Sequence, residues 1–246
     1  MRAVAKINVF LKIVSRRGNY HELISRFIRY EELYDEIYLE EAEEFDIVGI
    51  DIDKQSNTIY KAYQALQAVA PEIKDFMQNH RVRVIKKIPE GAGLGGGSSD
   101  AATFLLLLNQ EAGLHLDTPT LAKVGLQVGA DVPFFIYGYK AANVEGIGEI
   151  IEPFEDDIPA LEIKLMHIHC NTAKVYQNFR KHFQLSDKNQ AQQLTKMTSK
   201  EILSTLLPLQ ANDLYQSATM LCPKLRPFTK NWYLSGSGST LFRSKE

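Results

Sequence analysis

The sequence is short of the features that mark several common protein classes. It has only two cysteines, Cys170 and Cys222, in neither metal-ligand nor redox spacing, which excludes a disulfide framework and predicts a reducing, cytoplasmic setting. Both are expected as small core residues. The longest apolar run, Phe104 to Leu108, is too short to span a bilayer, and the first twenty residues lack the unbroken apolar core and cleavage site of a signal peptide. Lys and Arg number 28 against 30 Asp and Glu, for a net charge of -2. No broad positive field is therefore available for nucleic acid or an anionic membrane, and any bound anion must be held locally. Internal repeats and low-complexity tracts are also missing.

What is present is an ordinary globular composition, with 45% hydrophobic residues in 246. Residues 2 to 14 alternate like a strand, and 26 to 30, 35 to 40 and 45 to 52 read as further short strands separated by acidic turns. The acidic stretch Glu40 to Glu44 reads as a solvated face or hairpin. Helical spacing follows from Asn57, with Ser56 or Asn57 as cap and Pro71 ending or kinking the helix. Arg81 to Lys86 alternates as a half-buried strand. Ser98 to Leu108 is a helix apolar on nearly every side, and Pro119 to Val128 is a helix capped by Asp117 or Thr118. The aromatic and β-branched run after Gly129-Ala130-Asp131 implies a strand, which puts Asp131 between a helix and a strand. Two prolines and an acidic cluster near 150 to 160 mark the expected boundary between domains at 1–153 and 154–246. Beyond it lie a strand over 161 to 170, several helices to about 221, and a final strand, tight turn and strand. His167 and His169 alternate with apolar residues on that first strand and read as structural.

Between the strand at 81 and the helix at 98 lies Pro89-Glu-Gly-Ala-Gly-Leu-Gly-Gly-Gly-Ser-Ser-Asp100, with five glycines. Glycines admit positive φ and put no Cβ in the way of a phosphate, so backbone amides can converge on an anion at the positive end of the helix. Gly91, Gly93 and Gly96 also satisfy the G-x-G-x-x-G of dinucleotide sites, but the segment after the helix reads as another helix cap and not as a strand ending in a ribose-binding acid. A P-loop is excluded because no Lys-Ser or Lys-Thr follows the last glycine. A flexible surface turn is the bland alternative.

Residues 89 to 101 resemble the second motif of the GHMP kinase superfamily of small-molecule kinases. Ala5-Lys6-Ile7-Asn8 is similar to the first motif and Ser235-Gly236-Ser237-Gly238-Ser239 to the third, in the same order. Tyr20-His21, Gly129 to Pro133 and Glu145 to Glu149 narrow the resemblance to the branch that acts on cytidine diphosphate methylerythritol in the non-mevalonate route to isoprenoid precursors. The resemblance implies an α/β (α+β) protein with the GHMP kinase fold: a ribosomal-S5-like N-terminal domain that binds ATP and a smaller α+β C-terminal domain.

It also implies roles. Asp131 is the base that accepts the substrate hydroxyl proton, and Lys6 pairs with it and polarises that hydroxyl. Lys6 stands in an otherwise apolar strand, where an inward side chain needs an anionic partner. Asn8, two residues on, shares its face and helps to position the substrate. Tyr20, His21, Tyr176 and Lys86 surround the cytosine. ATP lies against Pro89, Gly91, Ala92, Gly93, Leu94, Gly95, Gly96, Gly97, Ser98 and Ser99, with Asn57 near the adenine, and Gly236 and Gly238 meet phosphates or substrate. ATP brings Mg²⁺, which keeps several waters, so no protein ligand is assigned. The partner is a small molecule, not nucleic acid or membrane, and the expected state is a monomer or weak homodimer. A non-enzymatic RNA-binding module of the same fold type is disfavoured by the acidic balance.

Overall fold

The computed structural model describes residues 1–245, which form two compact units. The first is built from Met1–Ala5, Tyr30–Ile88 and Gly95–Gly138; the second from Lys6–Arg29, Pro89–Leu94 and the chain from Tyr139 onward. Two long strands, β1 (Arg2–Arg17) and β2 (Tyr20–Glu41), pair with each other and contribute residues to both.

In the first unit, the latter half of β2 runs antiparallel to β4 (His80–Ile85), from Glu36 opposite Ile85 to Glu41 opposite His80, and short β3 (Ile47–Val48) lies parallel to β4. Alternation decides which side of β4 is buried: Val82 and Val84 turn inward, while Arg81 and Arg83 turn out to meet Glu40. The helices are α1 (Thr58–Gln67), α2 (Ile73–Met77), α3 (Gly96–Glu111), α4 (Thr118–Val128) and α5 (Val132–Tyr137). Asn57 caps α1 by accepting the Ile59 amide proton, and Asp117 caps α4 by accepting that of Thr120. Helix α3 is buried from Ser99 to Phe104 on all sides, as its apolar sequence demands, and packs against α1, α4 and α5.

In the second unit, the first half of β2 pairs antiparallel with β5 (Ala141–Gly146), which pairs with β6 (Ile150–Pro153). A separate sheet has the order β7 (Leu161–Lys164), β9 (Leu241–Ser244), β8 (Tyr233–Leu234). Helices α6 (Thr172–His182), α7 (Lys188–Leu194), α8 (Ser199–Thr205), α9 (Pro208–Ala211) and α10 (Leu214–Leu221) complete it, with a 3₁₀ turn at Pro223–Phe228. Val175 and Phe179 of α6, Leu214 and Tyr215 of α10, Leu11 and Ile13 of β1, and Leu234 and Leu241 share one core. Among the described residues no helix is long and apolar enough to cross a membrane.

Three expectations from the sequence are corrected. The supposed acidic turn at 31 to 34 lies inside β2, a continuous strand of 22 residues whose exposed edge carries those charges. Residues 132 to 137 are a helix, not a strand. Pro133 falls in its first turn, where a missing N–H costs nothing, and burial of Val132, Phe134, Phe135 and Ile136 overrides their β preference. The strand after 161 stops at Lys164, and His167 adopts φ +50°, so His167 and His169 lie on an irregular segment.

One buried charge organises the second unit. Arg26 is fully buried; its guanidinium donates to Asp156 (3.0 Å), to Asn143 (2.8 Å) and to the carbonyls of Thr195 (2.9 Å) and Met197 (3.1 Å), and stacks 3.6 Å from the centre of the Phe154 ring. Asp156 also accepts from the amide and hydroxyl of Ser199. Replacing Arg26 by Met strips a buried carboxylate and two buried carbonyls of their donor, so a loss of about 3–5 kcal/mol is expected in urea-induced unfolding. A loss below about 1 kcal/mol would contradict this account.

Candidate active site

The glycine segment owes its shape to its carbonyl oxygens. Gly91 O accepts the Cys170 amide proton at 3.1 Å, Ala92 O that of Thr240 at 3.0 Å and Leu94 O that of Lys6 at 2.9 Å, while Gly93 O accepts from the Ser235 hydroxyl at 2.9 Å. Four successive carbonyls are thus engaged by the second unit. A carbonyl so held cannot aim its negative end at a phosphate, which is what a cradle of amides requires. Gly93 has φ +75°, and a Cβ there would stand 2.1 Å from Ser235 O, so no other residue fits. All three sequence motifs meet here: the Asn8 amide donates to Ser235 Oγ at 3.2 Å, and the tight turn from Ser235 to Thr240, with Gly236 and Gly238 both at positive φ, closes on itself through Ser235 N to Thr240 O.

On the first unit, Gly95 (φ +70°) precedes α3, whose first turn has no side-chain cap. Sixteen residues of helix place a partial positive charge at Gly96, Gly97, Ser98 and Ser99. The Thr58 hydroxyl fixes Gly97 by donating to its carbonyl at 2.7 Å, one residue after Asn57, which is buried in its capping role. Gly129 packs beside the same turn, its Cβ position 3.8 Å from Ser98 Oγ. Asp131, two residues on, is half-buried at the start of α5, between two helices.

In the second unit the Lys6 ammonium is buried; it donates to Asn8 Oδ1 at 2.5 Å and lies 4.5 Å above the Phe27 ring. Asn8 in turn donates to Ser25 Oγ at 3.0 Å, and Ser25 to Phe10 O. This places Lys6 and Asn8 on one face, as expected. His21, just after the turn at Gly18, sits with its ring 5.3 Å from that of Tyr176 and 6.0 Å from Phe179. Burial, with Arg180 and Arg16 nearby, pulls the His21 pKa down, and its Nε2 is buried with no hydrogen-bond partner among the described residues. Tyr20 is 65% exposed. Pro89 and Ala92 line a cavity of about 320 Å³ together with Glu90, His167, His169 and Thr240.

Lys86 lies in a cluster that the sequence did not announce. Its ammonium donates to Asp35 at 2.5 Å and to Asp100 at 2.7 Å. Burial pushes the Asp100 carboxyl up to about 7, although Lys86 opposes the shift. Sequence reasoning also missed Ser25 and Asn212, whose amide holds the carbonyls of Leu234 and Gly236 at 2.8 Å each. No spacing signal marks either one. Because the folded pKa of Asp100 lies above its ordinary 3.8, this group contributes most stability below about pH 4 and loses that contribution as pH rises through about 7. The wild type is therefore expected to lose stability relative to Asp100→Asn across that window, by at most about 1.4 kcal/mol per pH unit. A stability difference that stays flat from pH 4 to 7 would contradict it.

Residues 57–139 match the GHMP kinases N terminal domain. The chain is 46% identical to the 4-diphosphocytidyl-2-C-methyl-D-erythritol kinase of Sulfurimonas denitrificans, over 100% of this chain and 96% of the relative, and 41% identical to that of Campylobacter jejuni subsp. doylei, over 99% of each. A crystal structure of 4-(cytidine 5'-diphospho)-2C-methyl-D-erythritol kinase superposes with a TM-score of 0.77 at 30% identity, covering 100% of this chain and 90% of the other. Homoserine kinase from Cytophaga hutchinsonii shares the fold, with a TM-score of 0.67 at 17% identity over 96% and 84% of the two chains. The chain belongs to the 4-diphosphocytidyl-2-C-methyl-D-erythritol kinase family of the GHMP kinases.

Proposed function

We propose that this protein transfers the γ-phosphoryl group of ATP to the 2-hydroxyl of 4-diphosphocytidyl-2-C-methyl-D-erythritol, in the non-mevalonate route to isoprenoid precursors. The observation that carries the reading is the engagement of all four carbonyls from Gly91 to Leu94, which leaves a glycine-rich backbone leading into an uncapped helix start. Such a backbone suits the β- and γ-phosphates of a nucleotide. Catalysis of phosphoryl transfer needs little covalent help; it rests on positioning and on stabilising charge.

In this reading the residues from Pro89 to Ser99 bind the triphosphate, with Asn57 toward the adenine. No residue of this chain is assigned as a Mg²⁺ ligand; Mg²⁺ bound with the nucleotide would supply neutralisation of charge on the transferring group. Asp131 accepts the proton of the acceptor hydroxyl. Lys6, steadied through Asn8 and Ser25, supplies a fixed positive charge for the hydroxyl oxygen. His21 and Tyr176 take the cytosine, with Tyr20 against its face, and the turn at Gly236 and Gly238 contacts substrate phosphates. The lowered pKa of His21 supports this, since a neutral ring offers one donor and one acceptor to the hydrogen-bonding edge of a base. The enzyme works in the cytoplasm on a small molecule, as a monomer or weak homodimer.

Purified protein with ATP, Mg²⁺ and the cytidyl substrate is expected to release ADP; release only with homoserine or mevalonate would overturn the assignment of substrate. Asp131→Asn should lower kcat at least about tenfold while leaving ATP affinity within about twofold, in keeping with loss of a general base. Unchanged turnover would remove Asp131 from the mechanism. His21→Ala is expected to raise KM for the cytidyl substrate about tenfold or more, the effect of one lost buried hydrogen bond, with KM for ATP unmoved.

A further inference from the structure

The segment that carries the glycines leaves the first unit after Ile88 and re-enters it at Gly95. Both of its ends are tied to one buried group of charges. Asp35, on β2 and fully buried, accepts the amide protons of Lys87 (2.5 Å) and Ile88 (2.8 Å) as well as the Lys86 ammonium (2.5 Å). That set fixes the backbone just before Pro89. The same ammonium reaches Asp100, the fifth residue of α3 and just after Ser99, at 2.7 Å. Asp100 is 4% exposed; Lys86 donates to its Oδ2, and its Oδ1 has no hydrogen-bond partner among the described residues. The spacing at the helix start is tight: a Cβ on Gly96 would meet Ile88 Cγ2 at 2.9 Å and Lys86 Nζ at 3.5 Å.

We propose that Lys86 is a positioning residue for nucleotide binding: its ammonium staples the strand before the glycine segment, through Asp35, to the start of the second turn of the helix after it, through Asp100. One cation between two buried carboxylates suits this task. It neutralises charge that would otherwise be costly to bury, and it fixes the distance between the two ends of a segment whose five glycines supply little stiffness of their own. Opening the staple leaves the fold's other contacts in place but loosens the amides that receive the phosphates, so the cost falls on ATP. A lysine beside the cytosine would put the cost on the other substrate instead.

This inference rests on the phosphate-binding role proposed above, and the test separates the two. ATP affinity is measured by calorimetry with a non-hydrolysable ATP analogue, and KM for the cytidyl substrate by ADP release, for the wild type, Lys86→Met, Asp100→Asn and the double variant. Each single change is expected to weaken analogue binding about tenfold and the double change no more than either alone, because both break the same bridge. KM for the cytidyl substrate should stay within about twofold, and Lys86→Arg, which can still span two carboxylates, should recover most of the affinity. A rise in KM for the cytidyl substrate with analogue binding unchanged would overturn the proposal, as would single effects that multiply in the double variant. Should Lys86→Met fail to fold, Asp100→Asn and Lys86→Arg carry the same comparison. A wild type that binds the analogue without turnover would overturn the proposed reaction and still leave the staple to be decided on binding.

Discussion

The hydrogen bonds that Gly91, Ala92, Gly93 and Leu94 accept come from residues 170, 240, 235 and 6. No short-range rule of turn formation connects these positions. Each donor belongs to an element with its own reason to exist: Lys6 to a strand buried on both faces, Ser235 and Thr240 to the turn between β8 and β9, Cys170 to the lead into α6. The loop is therefore imposed by packing around it, and its glycines are what allow it to comply. Gly93 illustrates the point, since the carbonyl of Ser235 occupies the space a side chain would need.

Buried and half-buried cations recur, and each joins acceptors that apolar packing would leave unpaired. Arg26 draws together β2, β5, the residues after β6 and the end of α7 by aiming the three nitrogens of a planar guanidinium at four distinct acceptors. Lys86 does the same between two carboxylates with a flexible stem. Such groups cost desolvation, which hydrophobic residues of similar size would avoid, and their hydrogen bonds tie segments distant in the chain to one point. Lys6 belongs with them: its ammonium donates to the Asn8 side-chain oxygen and lies over the Phe27 ring, contacts that hold it beside Asn8.

The sequence disclosed whatever rests on local rules. The caps at Asn57 and Asp117, the buried character of α3, the alternation of β4 and the closing β8–β9 pair all follow from spacing and composition. It was misleading where tertiary burial overrode local preference. Residues 132 to 137 are aromatic and β-branched yet helical, because a proline in the first turn and a wholly apolar environment favour that form. The acidic residues at 31 and 32 read as a turn but lie on the exposed part of a strand long enough to serve both units. Motif order exposed Lys6, Asn8, His21 and the third glycine turn, but not what holds them. Ser25, Asp35, Asp100 and Asn212 act through contacts many residues away, and nothing in their own neighbourhoods of sequence announces it.

The far-flung origin of those loop donors bears on how the chain matures during synthesis. A nascent polypeptide that has emerged only as far as α10 already carries every glycine of the loop and the whole of α3. It still lacks the hydroxyl and amide that engage Gly93 and Ala92, which lie on residues 235 and 240. The loop's full set of hydrogen bonds is thus completed only when translation has passed the final glycine turn, whatever portion of the body has folded before.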